Sequence, residues 1–317
     1  MSRYSLTPLS FDGLNTYSLH DRHSKVGFKD FSGAVEAGMT ITDLINSLPA
    51  QLAALDFSDL VRRTACACKA GKTIILGMGA HVIKVGLNPV VITLMKKGVL
   101  SALTLNGAGI IHDTEIAMTG RTSEDVAEVL GAGAFGAAEE TGRVLNDAIV
   151  KGDSNNLGLG EAVGAALCAQ KFPYNNYSLL ATAYELNLPV TVHVAMGTDI
   201  IHIHPGMDGA ATGRAGHRDF RLFGRLISTL QEGVYLNVGS AVLLPEVFLK
   251  ALTVVRNLGH QVDNFTTANF DFIRQYRPMT NVVHRPHLGG GKGINLTGHH
   301  EIMIPLFTAA LLDAMER

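Results

Sequence analysis

One pattern recurs along the chain. A short apolar run closes on glycine or another small residue, and a helical stretch follows at once. The runs "TIILGMG", "ALTLNGAG", "PVTVHVAMG" and "VYLNVGS" show it, and "FTTANFDF" is a less apolar fifth. Strands with one wet face alternate apolar and polar residues, so runs that stay apolar indicate strands covered on both faces. Helices between such strands provide the crossovers that parallel pairing requires. The expected architecture is α/β: a doubly wound, mostly parallel, Rossmann-like sheet with helices on both faces.

The helices carry their own punctuation. Pro49 splits the helical stretch 39–71, Gly98 stops the helix after the first strand, and Pro245 opens a later one. Thr122 to Asp125 has the shape of a capping box, and the helix after the second glycine turn is read from Asp113 onward. Residues 1–38 are polar and turn-rich and form an N-terminal arm, lying over the surface or against another subunit. No composition break divides 39–317, which is read as a single Rossmann-like domain.

The 317 residues are 47% hydrophobic and 17% charged, a composition for a packed core. A net charge of −2 without a basic block argues against nucleic acid as partner. No apolar run reaches the roughly 18 residues of a membrane span, and "MSRYSLTPLS" has no secretory pattern. The expected location is cytoplasmic. Cys66, Cys68 and Cys168 make no CxxC pair and read as buried reduced thiols.

Open α/β sheets bind ligands beyond the carboxyl ends of their strands. The residues there are Gly79, Ala80 and His81, then Asn106, Gly107, Ala108 and Gly109, then Asn237, Gly239 and Ser240. Glycine admits a ligand to the backbone, and a following helix offers free N–H groups to an anion. None of these turns is a GxGxxG fingerprint. Histidines and carboxylates crowd the same rim: His81, His112, Asp199, His202, His204 and His299. "HIH" on an extended segment puts His202 and His204 on one side. General acid–base chemistry or a divalent metal held by His81, His112, His204, His299 and Asp199 would each use such a set. Lys292, between glycines 289–291 and 293, reads as an amine on a mobile loop able to fold over a ligand.

These motifs resemble the deoxyhypusine synthase family over roughly residues 70–315. "ILGMGAHVIKVGLNP" is similar to its first NAD loop, where a Thr-Ser-Asn tripeptide ends the strand and Gly86 is shared. "NGAGIIHD" stands where the family has Thr-Ala-Gly-Gly-Val-Glu-Glu-Asp. "VAMGTDIIHIHP" resembles its Gly-Asp-Met-Ile-Phe-Phe-His run, with Asp199 on the substrate aspartate and His204 on the final histidine. "NVGSAVLLPEVFLKA" and "TGHHEIMIPLFTAALL" look like its Asn-Thr-Thr-Gly loop and closing segment. The resemblance implies a Rossmann-like fold, NAD as cofactor, a homotetramer, and transfer of an aminobutyl group through an imine on lysine.

The departures point elsewhere. His81 replaces the first-loop Asn, His112 the second Glu of the NAD loop, His299 the late Asp, and Ala251 the helix histidine. "VVHRPHL" stands where the family has its Trp-Gly-Lys, leaving Lys292 nearby but out of register. Imidazoles in place of carboxylates favour an anionic or neutral substrate over spermidine. The first reading is thus an NAD-binding enzyme with transferase or oxidoreductase chemistry on a small amine or amino-acid-like substrate. Its catalytic candidates are His112, Asp199, His204, His299 and Lys292. A metal-dependent hydrolase or lyase, and a non-catalytic sensor of a nucleotide or metabolite, are the alternatives.

Overall fold

The computed structural model describes residues 3–316. Helices α1 (Ile41–Ser47) and α2 (Leu52–Lys69) lead into β1 (Ile74–Met78), and α3 (His81–Lys84) and α4 (Asn88–Lys96) connect it to β2 (Ala102–Asn106). A long crossover follows, through α5 (Gly107–Thr119), α6 (Val126–Val129), α7 (Glu139–Ser154), α8 (Leu159–Gln170) and α9 (Leu179–Glu185), to β3 (Val190–His193). Then come α10 (Gly209–Ile227), β4 (Val234–Val238), α11 (Leu243–Asn257), β5 (Thr266–Asp271), α12 (Tyr276–Pro278), β6 (Lys292–Thr297) and α13 (His300–Glu316). The six strands pair in the order β3-β2-β1-β4-β5-β6, all parallel.

Adjacent strand residues point to opposite faces, so the two cores can be read off neighbours. Ile74 and Leu76 pack with Phe57 and Leu60 of α2, Val91 of α4 and Phe307 of α13. Ile75 and Tyr235 pack with Phe223 of α10 and Phe248 and Leu252 of α11. All five residues of β1 are buried. Each large side chain in these layers contributes roughly 1.5–3 kcal/mol by leaving water.

On the α10–α11 side one row departs from this. Thr191, Thr104, Gly77, Asn237, Asn269 and Asn295 are consecutive register partners across all six strands. Thr191 Oγ1 donates to Thr104 Oγ1 (2.9 Å), Asn237 Nδ2 to Asn269 Oδ1 (2.8 Å), and Asn269 Nδ2 to Asn295 Oδ1 (2.9 Å). Buried amides and hydroxyls cost free energy unless bonded, and the ladder satisfies them laterally. Gly77 supplies no side chain: a Cβ there would stand 2.5 Å from the Tyr235 hydroxyl.

Several local expectations are corrected. Helix α5 starts at Gly107, not Asp113, because the Asn106 side chain accepts from Gly109 N (3.0 Å) and turns strand directly into helix. The capping box at Thr122 does not form: Asp125 caps α6 through Ala127 N, and Thr122 reaches back to α5. The stretch after β1 breaks at Gly86, φ +79°, into α3 and α4. "HIH" is not extended, since Ile200–Ile203 form a 3₁₀ turn. A sixth strand, β6, occupies the segment read as a mobile loop around Lys292. Cys66 is exposed, and Cys68 and Cys168 are only partly covered.

The described part of the arm, residues 3–38, is largely exposed, with Tyr4, Leu6, Phe11, Tyr17, Phe28 and Phe31 turned outward. It joins the rest where Gly33 N donates to Ser47 O (2.9 Å) and Ala50 N to Asp30 O (3.0 Å). Among the described residues no helix is long and apolar enough to cross a membrane.

Candidate functional site

The chain leaves neighbouring strands β1 and β4 toward opposite faces, to α4 and to α11. That divergence is the topological switch point, where a crevice opens in sheets of this kind. Its floor is made by backbone. Gly79 N donates to Val238 O (2.9 Å) and Gly239 N to Phe270 O (3.0 Å). A Cβ on Gly79 would lie 2.3 Å from Gly239 O, so no other residue fits there. Gly239, at φ +67°, has the left-handed conformation that favours glycine.

Aromatic and imidazole rings stand around this floor. His300, fully buried at the start of α13, places Nε2 3.2 Å from Phe270 O. A carbonyl only accepts, so Nε2 carries the hydrogen and Nδ1 holds a bare lone pair. That Nδ1 has no hydrogen-bond partner and lies 3.5 Å from where a Gly239 Cβ would be. The His81 ring is 5.3 Å from His300, and Phe272 lies 5.7 Å from His81, 6.1 Å from His300 and 6.3 Å from His299. Asp271 accepts from Phe272 N (2.9 Å). Burial pushes the Asp271 carboxyl up and the His300 imidazole down, the latter countered by its carbonyl bond and by Asp271. Below the floor, Asn237 spends its Nδ2 on Ser240 O and Asn269 Oδ1, and its buried Oδ1 has no partner. Ser240 Oγ accepts from Leu244 N (3.2 Å) at the start of α11.

A second group lies over β2 and β3. The amino end of α5, with Gly107 and Gly109, has the form of an anion seat. Asp199 fills it. A Cβ on Gly107 would fall 2.2 Å from Asp199 Oδ2, and that oxygen accepts from Ala195 N (3.0 Å). Burial raises the Asp199 carboxyl, while bonds from Ala195 and Ala108 N–H and the nearby His202 pull it down. Further along α5, His112 Nδ1 is 2.6 Å from Thr122 Oγ1, which donates to Glu115 Oε2 (2.5 Å). His204 Nε2 donates to Gly136 O (3.0 Å), and its ring occupies the notch left by Gly142 on α7.

Gly79, Ala80, His81, Asn237, Gly239, Ser240 and His299 therefore share the β1–β4–β5 end, whereas Asn106 to Gly109, His112, Asp199 and His204 belong to the β2–β3 side. Lys292 belongs to neither. It opens β6 in register with Thr266, at the amino end of the sheet, and its Nζ lies 3.5 Å from Asp56 and 3.8 Å from Asp59. A six-residue strand spans roughly 20 Å, which separates its amine from the rim. The alternative metal set does not assemble: among the described residues no group of three or more His, Cys, Asp or Glu could hold an ion. His112, His204 and Asp199 each have a private partner instead. Asp113 is structural; it accepts from Ser178 Oγ (2.6 Å), Leu179 N (2.7 Å), Leu180 N (3.0 Å) and Asn88 Nδ2 (3.1 Å), tying α5 to α9. From sequence, Asp271 is placed at a strand end, Glu115 beside His112 and Thr122 in a capping box, but none of them, nor His300, is given a role in the site, and Phe272 is not singled out; their parts are recognised only by their neighbours.

No family model matches the chain, and no curated protein matches it. Solved structures do, at the level of fold. A protein of Methanococcus maripaludis S2 carrying the working name LOR/SDH overlays with a TM-score of 0.52 at 12% identity, covering 83% of this chain and 70% of that one. ArgZ, a cyanobacterial arginine dihydrolase of the ornithine–ammonia cycle, overlays with 0.51 at 14% identity over 84% of this chain. The chain spans 33% of the length of ArgZ. An Entamoeba histolytica protein carrying the working name deoxyhypusine synthase gives 0.49 at 12% identity, covering 86% and 93%, a score below that from which a shared fold is argued. The likeness to the Methanococcus maripaludis protein and to ArgZ is one of fold.

Proposed function

We propose that this chain is an NAD-binding enzyme of deoxyhypusine synthase-like fold that acts on a small amine or amino-acid-like substrate, with an altered active site. The observation that carries the reading is the contact of the Gly79 and Gly239 backbones at the switch point, ringed by His81, His300, Phe272 and Asp271. Glycine at both positions lets the two strand ends and the His300 ring close in on one another, and the orphaned His300 Nδ1 is an acceptor that no protein group uses. When bound, NAD supplies a hydride acceptor. Asp271 and His300 orient a donor-bearing substrate, His81 and Phe272 exclude water from it, and His112 moves a proton on the β2 side. The Asp271 carboxylate at this end of the rim suits a cationic or N–H-bearing group. The ArgZ description as an arginine dihydrolase supports an amino-acid class of substrate. The exposed apolar arm supports self-association, as a tetramer in the family resembled. Calorimetric titration with NAD, followed by absorbance of reduced nicotinamide on adding amines or amino acids, tests the reading. Saturable binding and substrate-dependent reduction are expected; no heat of NAD binding refutes it.

A further inference from the structure

The network around His112 contains more order than a tether requires. Glu115, as a carboxylate, can only accept hydrogen bonds. Thr122 has one hydroxyl hydrogen, and it goes to Glu115 Oε2 at 2.5 Å. The Thr122 oxygen is then left to accept, and the atom 2.6 Å away is His112 Nδ1. The neutral imidazole therefore carries its hydrogen on Nδ1, and Nε2 keeps the basic lone pair. Thr141 Oγ1 of α7 donates to Glu115 Oε1 (3.1 Å), so both carboxylate oxygens are held and the carboxylate cannot rotate away. The ring and carboxylate are only 3.7 Å apart, close enough for Glu115 to stabilise a positive charge arriving on the ring. Burial pushes the Glu115 carboxyl up, and His112, Thr122 and Thr141 outweigh it, leaving it below the usual carboxylate range.

The placement is specific. Ala108, His112 and Glu115 follow one face of α5, at spacings of four and three residues. Ala108 N–H faces the Asp199 carboxylate at the head of the helix, so His112 stands one turn below the filled anion seat. Thr122 arrives from outside the helix, and the next residue, Ser123, has φ +70°, a conformation non-glycine residues rarely adopt. The backbone is thus held in a disfavoured state beside the one hydroxyl that links imidazole to carboxylate. A simple latch between this segment and α5 would need only the Thr122–Glu115 bond.

We propose that Thr122 and Glu115 are positioning residues that fix His112 in its Nδ1–H form, so that Nε2 acts as the proton-accepting atom of the site. This rests on the reading of His112 as the group that moves a proton. Three full-length variants test it: Thr122→Val, Thr122→Ser and Glu115→Gln, with His112→Asn to assign the signals. The ring form is read from long-range nitrogen–proton correlations of labelled protein, and the reactivity of Nε2 from the rate at which diethyl pyrocarbonate acylates His112, followed by peptide mass. The expected result is Nδ1–H in the native protein. In Thr122→Val the ring should move toward Nε2–H and be acylated severalfold more slowly, and Thr122→Ser should restore both. Glu115→Gln should move both readouts in the same direction as Thr122→Val. Nε2–H in the native protein overturns the proposal. So does a Thr122→Val protein that melts lower while its ring form and acylation rate stay native, because that is the signature of a latch. Both readouts are taken without cofactor, so a failure of NAD binding and a failure of the ring-form assignment are told apart.

Discussion

Asp199 is the most informative single residue to remove. Its carboxylate sits where a ligand phosphate would sit, against Gly107 at the head of α5, bonded to Ala195 N and facing Ala108 N–H. Losing a capping carboxylate costs about 0.5–2 kcal/mol, and the partly buried setting puts Asp199→Ala toward the upper value. For domains of this order, 1 kcal/mol lowers Tm by about 2 °C, so the variant should melt about 3–4 °C below the native protein. The variant also uncovers the Ala108 N–H of the helix and the nearby Ala195 N–H, Gly109 N staying on Asn106. Inorganic phosphate at a hundred times its Kd then contributes about 2.7 kcal/mol, enough to restore the native Tm or exceed it, and the native protein should show no such response. Thermal scans with phosphate against chloride at equal ionic strength read the difference, the chloride arm removing general salt effects. Asp199→Asn, which keeps the space filled, should respond less than the alanine variant. Equal stabilisation of native and variant proteins by phosphate, or a variant indifferent to it, would refute the idea that Asp199 occupies an anion seat.

Two further outcomes follow from the same geometry. Asp219 is buried beneath β3 and accepts from Val192 N (2.8 Å) and Gly160 N (3.0 Å); burial, only partly offset by these bonds, pushes its carboxyl up to about 7. The native state then binds more protons than the unfolded chain, whose carboxyl titrates near 3.8, so this residue's contribution to stability falls as pH rises from about 4 to about 7 and is constant above. Asp219→Asn should remove that slope from the urea midpoint relative to the native protein, a difference in which the titrations of Asp113 and His193 cancel; an unchanged slope counts against it. Lys292→Met, in contrast, should leave NAD affinity by calorimetry unchanged and cost less than about 1 kcal/mol, because its pairs with Asp56 and Asp59 are half exposed; a lost NAD site would restore the amine to the active centre.

The sheet was legible because its central strands are apolar on consecutive residues and each ends in a small residue, a pattern that only double coverage explains. β6 was not legible. "KGINLT" alternates, lies at the sheet edge, and follows three glycines, so its local signal is that of a loop; its pairing with β5 is what makes it a strand. The rim was legible for the same reason as the strands, since any carboxyl end of a buried parallel strand can be listed from sequence. Which rim residues meet was not. Asp199 stands ninety-two positions from the glycine it touches, and His112, Thr122 and Glu115 are joined by a turn whose capping signal pointed to a different structure. Spacing places histidines at strand ends, but only tertiary contact decides that His204 is bound to Gly136 and His300 left with a bare nitrogen.

The division of the rim follows from where side chains are absent. At β2 the glycines of α5 leave a notch, and the chain fills it with its own carboxylate. At β1 and β4 the glycines touch each other, and the space a Gly239 side chain would take is held by the His300 ring. The polar row one step lower agrees with this difference. On the β2–β3 side Thr104 and Thr191 satisfy one another. On the β4 side the asparagine ladder runs outward toward β6 and leaves the Asn237 oxygen unmatched beneath the Gly79–Gly239 contact, with the His300 nitrogen unmatched beside it. Of these two acceptors the Asn237 oxygen lies below the backbone floor, so the His300 nitrogen is the one that stands beside the Gly79–Gly239 contact itself. The β2–β3 seat, in contrast, is one that a phosphate reaches only by displacing Asp199.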